Sequence, residues 1–254
     1  MKKSTARLSI ALFCFFWSGL ALAKASDAGT KQDKEYTIIE TWNFDALIGK
    51  KKIGSHTFKV RKNSYQIRVS SSASFDYRVL NIPLFKYEHS ANENYDRQFC
   101  LESLSSLTRS GAGPANWQNQ EISGQRQNNG FRVTGSNEEL FDGECLMAFA
   151  YWNPEIVEQE ELLNAQDGKL VKVSITFTGE TQKDRRYLLE GDGVEIEIIY
   201  SVDGKWTGLS SKLRMGRTLK YLLTDYEREV EIMKTNIQGA PGATVIELPS
   251  PNEN

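Results

Sequence analysis

The sequence predicts an all-β, mainly antiparallel domain: a curled meander sheet or a partly closed β-barrel with one short helix. Three observations lead there. Apolar and polar residues alternate with period two through most of the chain after Trp42, short turn signals separate the alternating runs, and helical periodicity is scarce. Successive antiparallel strands with little helix must curl or close around an apolar interior to hide their inner faces. A sandwich is the other soluble solution. An outer-membrane barrel also alternates, but one face carries Lys59, Arg61, Arg68, Asp76, Arg78, Lys172 and Glu195, which suits a water-facing surface or else a pore lining.

The first residues are not part of that domain. Lys2, Lys3 and Arg7 precede an uncharged apolar run from Leu8 to Leu22, and Ala21-Leu22-Ala23 offers the small residues a signal peptidase accepts. This reads as a signal peptide over 1–23, cleaved near Ala23, so the protein is expected in the periplasm. A membrane anchor would need a longer run, and the lipoprotein reading of Cys14 meets a bulky Phe13 where a small residue is required. No second apolar span follows, hence no transmembrane segment is expected after cleavage. Residues 24–35 are polar and read as a flexible leader, 36–224 as a single β domain, and 225–254 as a charged extension with a disordered tail.

Within the domain, Gly54, His56, Phe58 and Val60 form one inward run. The next is the longest: Tyr65, Ile67, Val69, Ser71, Ala73, Phe75, Tyr77 and Val79 share a face, with Arg68, Asp76, Arg78 and serines opposite. Extended, it would reach about 50 Å, so it must bend strongly or be two strands in series. Phe85, Tyr87 and His89 follow, then Val171, Val173, Ile175 and Phe177, then Val194, Ile196, Ile198 and Tyr200, then Leu219, Tyr221 and Leu223. Ile48 to Lys52, Asn128-Asn129-Gly130 and Asp203-Gly204 are turn signals. Pro154 to Asn164, opening on Asn153-Pro154, is the best helix candidate; the charged stretch Asp225 to Thr235 fits a helix or a strand equally.

Composition narrows the partners. Of 31 basic residues, the three in the signal leave 28 against 33 acidic ones, about −5, which argues against nucleic acid. Only Cys100 and Cys145 survive cleavage, and an even count in an oxidising compartment reads as one disulfide, two separate buried thiols being the alternative. There is no CxxC pair, no G-x-S-x-G elbow and no glycine-rich phosphate loop, so thioredoxin-like, serine-hydrolase and nucleotide chemistry lack support.

Cys145-Leu146-Met147-Ala148-Phe149-Ala150-Tyr151-Trp152-Asn153-Pro154, followed by Leu162-Leu163-Asn164-Ala165-Gln166-Asp167-Gly168, resembles the bacterial exported family catalogued as domain of unknown function 6134. Ile53-Gly54-Ser55-His56-Thr57-Phe58 is similar to its early hairpin, Phe85-Lys86-Tyr87-Glu88-His89 to its Tyr-x-His strand, and Trp206-Thr207-Gly208-Leu209 with Gly216-Arg217 to its closing hairpins. The resemblance spans roughly Thr41 to Leu223. It implies an exported, mostly β protein and carries no catalytic residues with it.

His56 and His89 are the only histidines, and alternation turns each toward the apolar face. Two histidines need further ligands to hold zinc, so no metal and no cofactor are expected. Glu155, Glu158, Glu160 and Glu161 read as a solvated face at a helix start. Tyr151 and Trp152 before Pro154 make a stiff aromatic corner, suited to core packing or to gripping a ligand. The expected ligand contacts are therefore His56, Phe58, Phe85, Tyr87, His89, Tyr151 and Trp152. Non-catalytic binding of a hydrophobic or lipid-like small molecule is the leading expectation; an envelope structural or assembly protein acting through protein partners, and a hydrolase-type enzyme using His56 and His89, are the alternatives.

Overall fold

The computed structural model describes residues 36–232, apart from 81, 113–116, 144, 214 and 215. The expected signal peptide, the leader 24–35 and the tail beyond 232 lie outside these residues. Fourteen strands build one sheet: β1 (Tyr36–Ile48), β2 (Lys51–Lys62), β3 (Ile67–Val79), β4 (Ile82–Tyr95), β5 (Leu101–Gly111), β6 (Gln118–Gln127), β7 (Gly130–Thr134), β8 (Glu138–Phe141), β9 (Glu161–Leu163), β10 (Leu170–Glu180), β11 (Asp184–Gly191), β12 (Val194–Ser201), β13 (Trp206–Lys212) and β14 (Thr218–Ile232). Spatial order runs from β8 back to β1, across to β14, and back to β9. All of these neighbours pair antiparallel, so the all-β meander of the sequence reading is the fold, and it is not closed. The first and last strands meet in the middle, leaving β8 and β9, consecutive in the chain, as the two edges.

The sheet curls because both wings bury the same face. Trp42, Phe58, Val60, Ile67 and Val69 from one wing share a core with Leu189, Ile198, Tyr200 and Trp206 from the other. Phe44 and Phe58 meet Trp206 directly, with ring centroids 4.3 and 5.0 Å apart. Arg61, Arg68, Arg78 and Lys172 are exposed on the opposite face, the reverse of a membrane barrel, whose outer band is apolar. Among the described residues no helix is long and apolar enough to cross a membrane.

Between the edge strands, residues 145–160 fold back as a plug. Cys100 and Cys145 are disulfide-bonded, the Leu101 N–H donates to the Leu146 carbonyl at 2.7 Å, and the Leu163 N–H donates to that of Met147 at 2.8 Å. Tyr200 Oη donates to the Tyr151 carbonyl at 2.9 Å, tying the plug to β12. The β9–β10 turn lies against the other wing, where the Ser106 hydroxyl donates to the Ala165 carbonyl. Gly168 makes this approach possible. Its φ is +73°, and a Cβ there would stand 2.9 Å from Val133 Cγ1.

Three expectations need correction. The helix from Pro154 to Asn164 is only a 3-10 helix over Pro154–Glu158, capped by Asn153, whose side chain accepts from the Glu155 N–H. Extended backbone at Gln159 ends it, and the fully buried Leu162 and Leu163 belong to β9. The stretch after Asp225 is not a separate extension as far as Ile232: it continues β14, pairing with β1 from Tyr36↔Ile232 to Asn43↔Asp225. A domain boundary at 224 would cut this strand, and its charges simply face solvent. The long alternating run is a single strand, β3, one of its two expected forms, with a register shift between Tyr77 and Arg78, but Tyr65, placed on its inward face, is 72% exposed and precedes it.

Candidate functional site

Pairing register assembles the site. Phe44, His56, Ala73, His89 and Thr108 stand opposite one another on β1 to β5, forming one row across the inner face. At about 4.8 Å per strand, the two histidine Cα atoms are separated by roughly 10 Å, with the small methyl of Ala73 between them. Gly54, two residues before His56 and thus on the same face, permits the close approach of β2 to β3: a Cβ at this position would fall 1.9 Å from the Ser74 carbonyl oxygen. Two residue pairs further along, on the same face, Phe75 and Tyr87 stack at 5.2 Å.

Below the row lies a cavity of about 200 Å³. His56, Phe58, Tyr87, His89 and Tyr151 line it, together with Glu93, Phe149, Tyr221, Ile196 and Leu209. Two of the expected contacts are elsewhere. Trp152 is core, 4% exposed, packed at 5.7 Å from Tyr95 and 6.1 Å from Phe99. Phe85 is 39% exposed near the sheet's rim and reaches the cavity only through its stacking on Tyr87, 6.0 Å away.

Hydrogen bonding separates the two imidazoles. His89 Nδ1 meets the Thr108 hydroxyl at 2.9 Å and His56 Nδ1 meets the Tyr221 hydroxyl at 2.9 Å. His56 Nε2, by contrast, is buried with no protein partner. Burial holds both rings neutral, lowering His56 to about 3, with the neighbouring His89 adding to the effect, and His89 to about 4. Burial also pushes the Tyr87, Tyr151 and Tyr221 phenols up. Glu93 is raised to about 6 by burial, against the opposing bond from Tyr95 Oη at 2.5 Å. At neutral pH the lining is therefore uncharged except for this carboxyl. Among the described residues, no three His, Cys, Asp or Glu side chains converge as a metal site.

The sequence reading missed Glu93, Tyr221 and Phe149. Glu93 shares the parity of Tyr87, His89 and Tyr95 on β4 and was legible by that alternation. Phe149 was not, because the plug has no repeat from which direction can be read.

The profile of the family described as domain of unknown function (DUF6134) matches residues 44–224, from the Phe44 end of the histidine row to β14. The chain belongs to this family. The DUF6134 match includes both histidines, both disulfide cysteines and the plug, while β14 continues eight residues past it, to Ile232. Among solved structures, the crystal structure of a β-barrel-like protein of domain of unknown function DUF1849 from Brucella abortus is similar, with a TM-score of 0.53 and 8% identity over 76% of this chain and 98% of that one. That likeness is one of fold. No curated protein matches the sequence.

Proposed function

We propose that this DUF6134 protein is exported to the bacterial envelope and there binds a small amphipathic molecule without transforming it. The ligand's apolar or aromatic body would lie among Phe58, Tyr151, Ile196 and Leu209, and its polar group on His56. One observation carries the reading: a neutral, buried imidazole on the cavity wall whose Nε2 has no protein partner. An unsatisfied buried polar group costs about 1–3 kcal/mol, which a ligand can recover by bonding to it. If Tyr221 donates to Nδ1, Nε2 is a donor; if Nδ1 donates, Nε2 accepts. A hydroxyl or a protonated acid on the ligand satisfies either tautomer.

Size narrows the class. About 150 Å³ of apolar cavity accommodates benzene, so about 200 Å³ admits one ring or a short acyl segment rather than a whole diacyl lipid. The low pKa values of both histidines favour binding over general-base chemistry, which works best with a group titrating near the operating pH. Strand addition at an edge is also disfavoured, since β8 has four residues and two of them are Glu138 and Glu139.

Mass spectrometry of the solvent extract from protein purified natively is expected to reveal a copurified small amphiphile. A fluorescent short-chain fatty acid should bind saturably and lose roughly fivefold or more in affinity in His56→Phe. Absence of both a copurified molecule and saturable binding refutes the ligand; a chain that stays cytoplasmic with Met1 retained refutes the export.

A further inference from the structure

One end of the sheet carries a second surface, unrelated to the cavity. The hairpins closed by Ile48↔Lys51, Val79↔Ile82, Ser110↔Gln118 and Lys212↔Thr218 join neighbouring antiparallel strands at the same end. Two contacts tie three of these tips together: Lys51 Nζ donates to the Arg78 carbonyl, and the Arg217 guanidinium lies 5.0 Å over the Tyr77 ring.

Among its described residues the β3–β4 tip exposes an apolar surface to solvent. Leu80 is 90% exposed, Ile82 62% and Leu84 46%, with Val79 and Phe85 beside them. Leu80 has φ +48°, a backbone conformation that L side chains avoid and that turns usually give to glycine or asparagine. A leucine kept there is disfavoured both by its backbone and by its exposure to water, and contiguous exposed apolar residues at a hairpin tip mark an interaction site.

Charge says what kind. Although the whole chain is net −2, Arg78 at the base of this tip and Lys50, Lys51, Lys52, Arg217 and Lys220 on the β1–β2 and β13–β14 turns to one side of it are exposed. Lys52 pairs with Asp45 and Arg78 with Asp76; among the described residues the other four have no carboxylate at ion-pair distance. An exposed apolar tip flanked by basic turns is complementary to an anionic bilayer: leucine and isoleucine enter the acyl boundary while lysine and arginine meet phosphates.

We propose that the β3–β4 hairpin tip and the basic turns beside it dock the protein on an anionic phospholipid surface. The tip lies beyond the Phe75–Tyr87 stack from the histidine row, so docking and ligand binding can be separated by mutation. The test is cosedimentation of the full mature chain with vesicles of phosphatidylethanolamine and phosphatidylglycerol, against vesicles of phosphatidylcholine alone. Binding is expected only to the anionic vesicles, and should weaken in high salt. Leu80→Asp with Ile82→Asp should lower it at least roughly tenfold, and Lys50→Gln, Lys51→Gln and Arg217→Gln together by roughly a hundredfold. Both variants alter exposed side chains, so an unchanged melting temperature and unchanged probe affinity confirm that fold and cavity are intact. No binding to anionic vesicles, equal binding to both compositions, or binding indifferent to Leu80→Asp with Ile82→Asp overturns the proposal. So does concentration-dependent dimerisation that the same double variant abolishes without any vesicle binding, which would make the tip a self-association surface.

Discussion

Replacing both Cys100 and Cys145 with serine separates two roles of the plug's tether. The bond spans 45 residues of chain, and closing a loop of that size removes unfolded-state entropy equivalent to about 4 kcal/mol in the chain-entropy model. In a domain of this length each kcal/mol moves the melting temperature by about 2–4 °C, so the loss corresponds to roughly 8–16 °C. The folded plug, however, has other anchors: Leu101 and Leu163 bond to its backbone at 2.7 and 2.8 Å, Tyr200 holds the Tyr151 carbonyl at 2.9 Å, and Trp152 and Ile156 are buried. Stability should thus fall by about 4 kcal/mol while native-state probe affinity changes less than about threefold, because Phe149 and Tyr151 stay on the cavity wall. Urea melts followed by circular dichroism measure the first quantity and fluorescence titration well below the midpoint measures the second. A stability loss under about 1 kcal/mol would refute the loop-closure argument. A loss of binding without a loss of stability would mean that the disulfide alone positions the plug.

The buried titrating groups make stability depend on pH with opposing signs. The unfolded chain protonates His56 and His89 near pH 6.5, but the folded chain does so only near 3 and 4, so their contribution to stability falls as pH drops below about 6.5. Glu93, raised to about 6 in the fold, acts in the other direction: its stabilising contribution is present below its unfolded pKa and is lost as pH rises through about 6. Between about pH 4.5 and 6 the net from these groups approaches one proton, about 1.4 kcal/mol per pH unit, and Glu93→Gln should steepen the slope toward about 2.7 in urea melts across that window. Ala73→Leu fills the space between the two imidazoles; it should cost about 1–3 kcal/mol by overpacking and abolish saturable probe binding. Gly54→Ala puts a methyl on the Ser74 carbonyl and should cost about 3 kcal/mol in the same melts, at the upper end of ordinary single substitutions.

Strand content and inward faces were legible because a pleated strand has a strict period of two: Phe58, Val60, Val69 and Ile198 point inward as their parity requires. Turns at Gly49, Gly130 and Gly204 were legible because each has a positive φ that glycine tolerates best. Where direction depends on the partner element, alternation was silent. Tyr151 and Trp152 are adjacent in sequence, yet one lines the cavity and the other packs against Tyr95 and Phe99, because the plug is neither strand nor helix at that point. Phe85 has the parity of Tyr87 and His89 but sits too near the hairpin tip to be covered.

The same division runs through the molecule. The β architecture, the pairing partners available to Cys100 and Cys145, the inward placement of both histidines and the family can all be read from the amino-acid order alone. These follow from local chemistry and short-range periodicity. Long-range pairing brings β1 and β14 together, extends β14 to Ile232, sets His56 across from His89 in a row through Ala73, and leaves His56 Nε2 without a protein partner at a cavity wall. Those features arise from register between strands distant in the chain and from the side a curled sheet turns inward, and no local pattern encodes either.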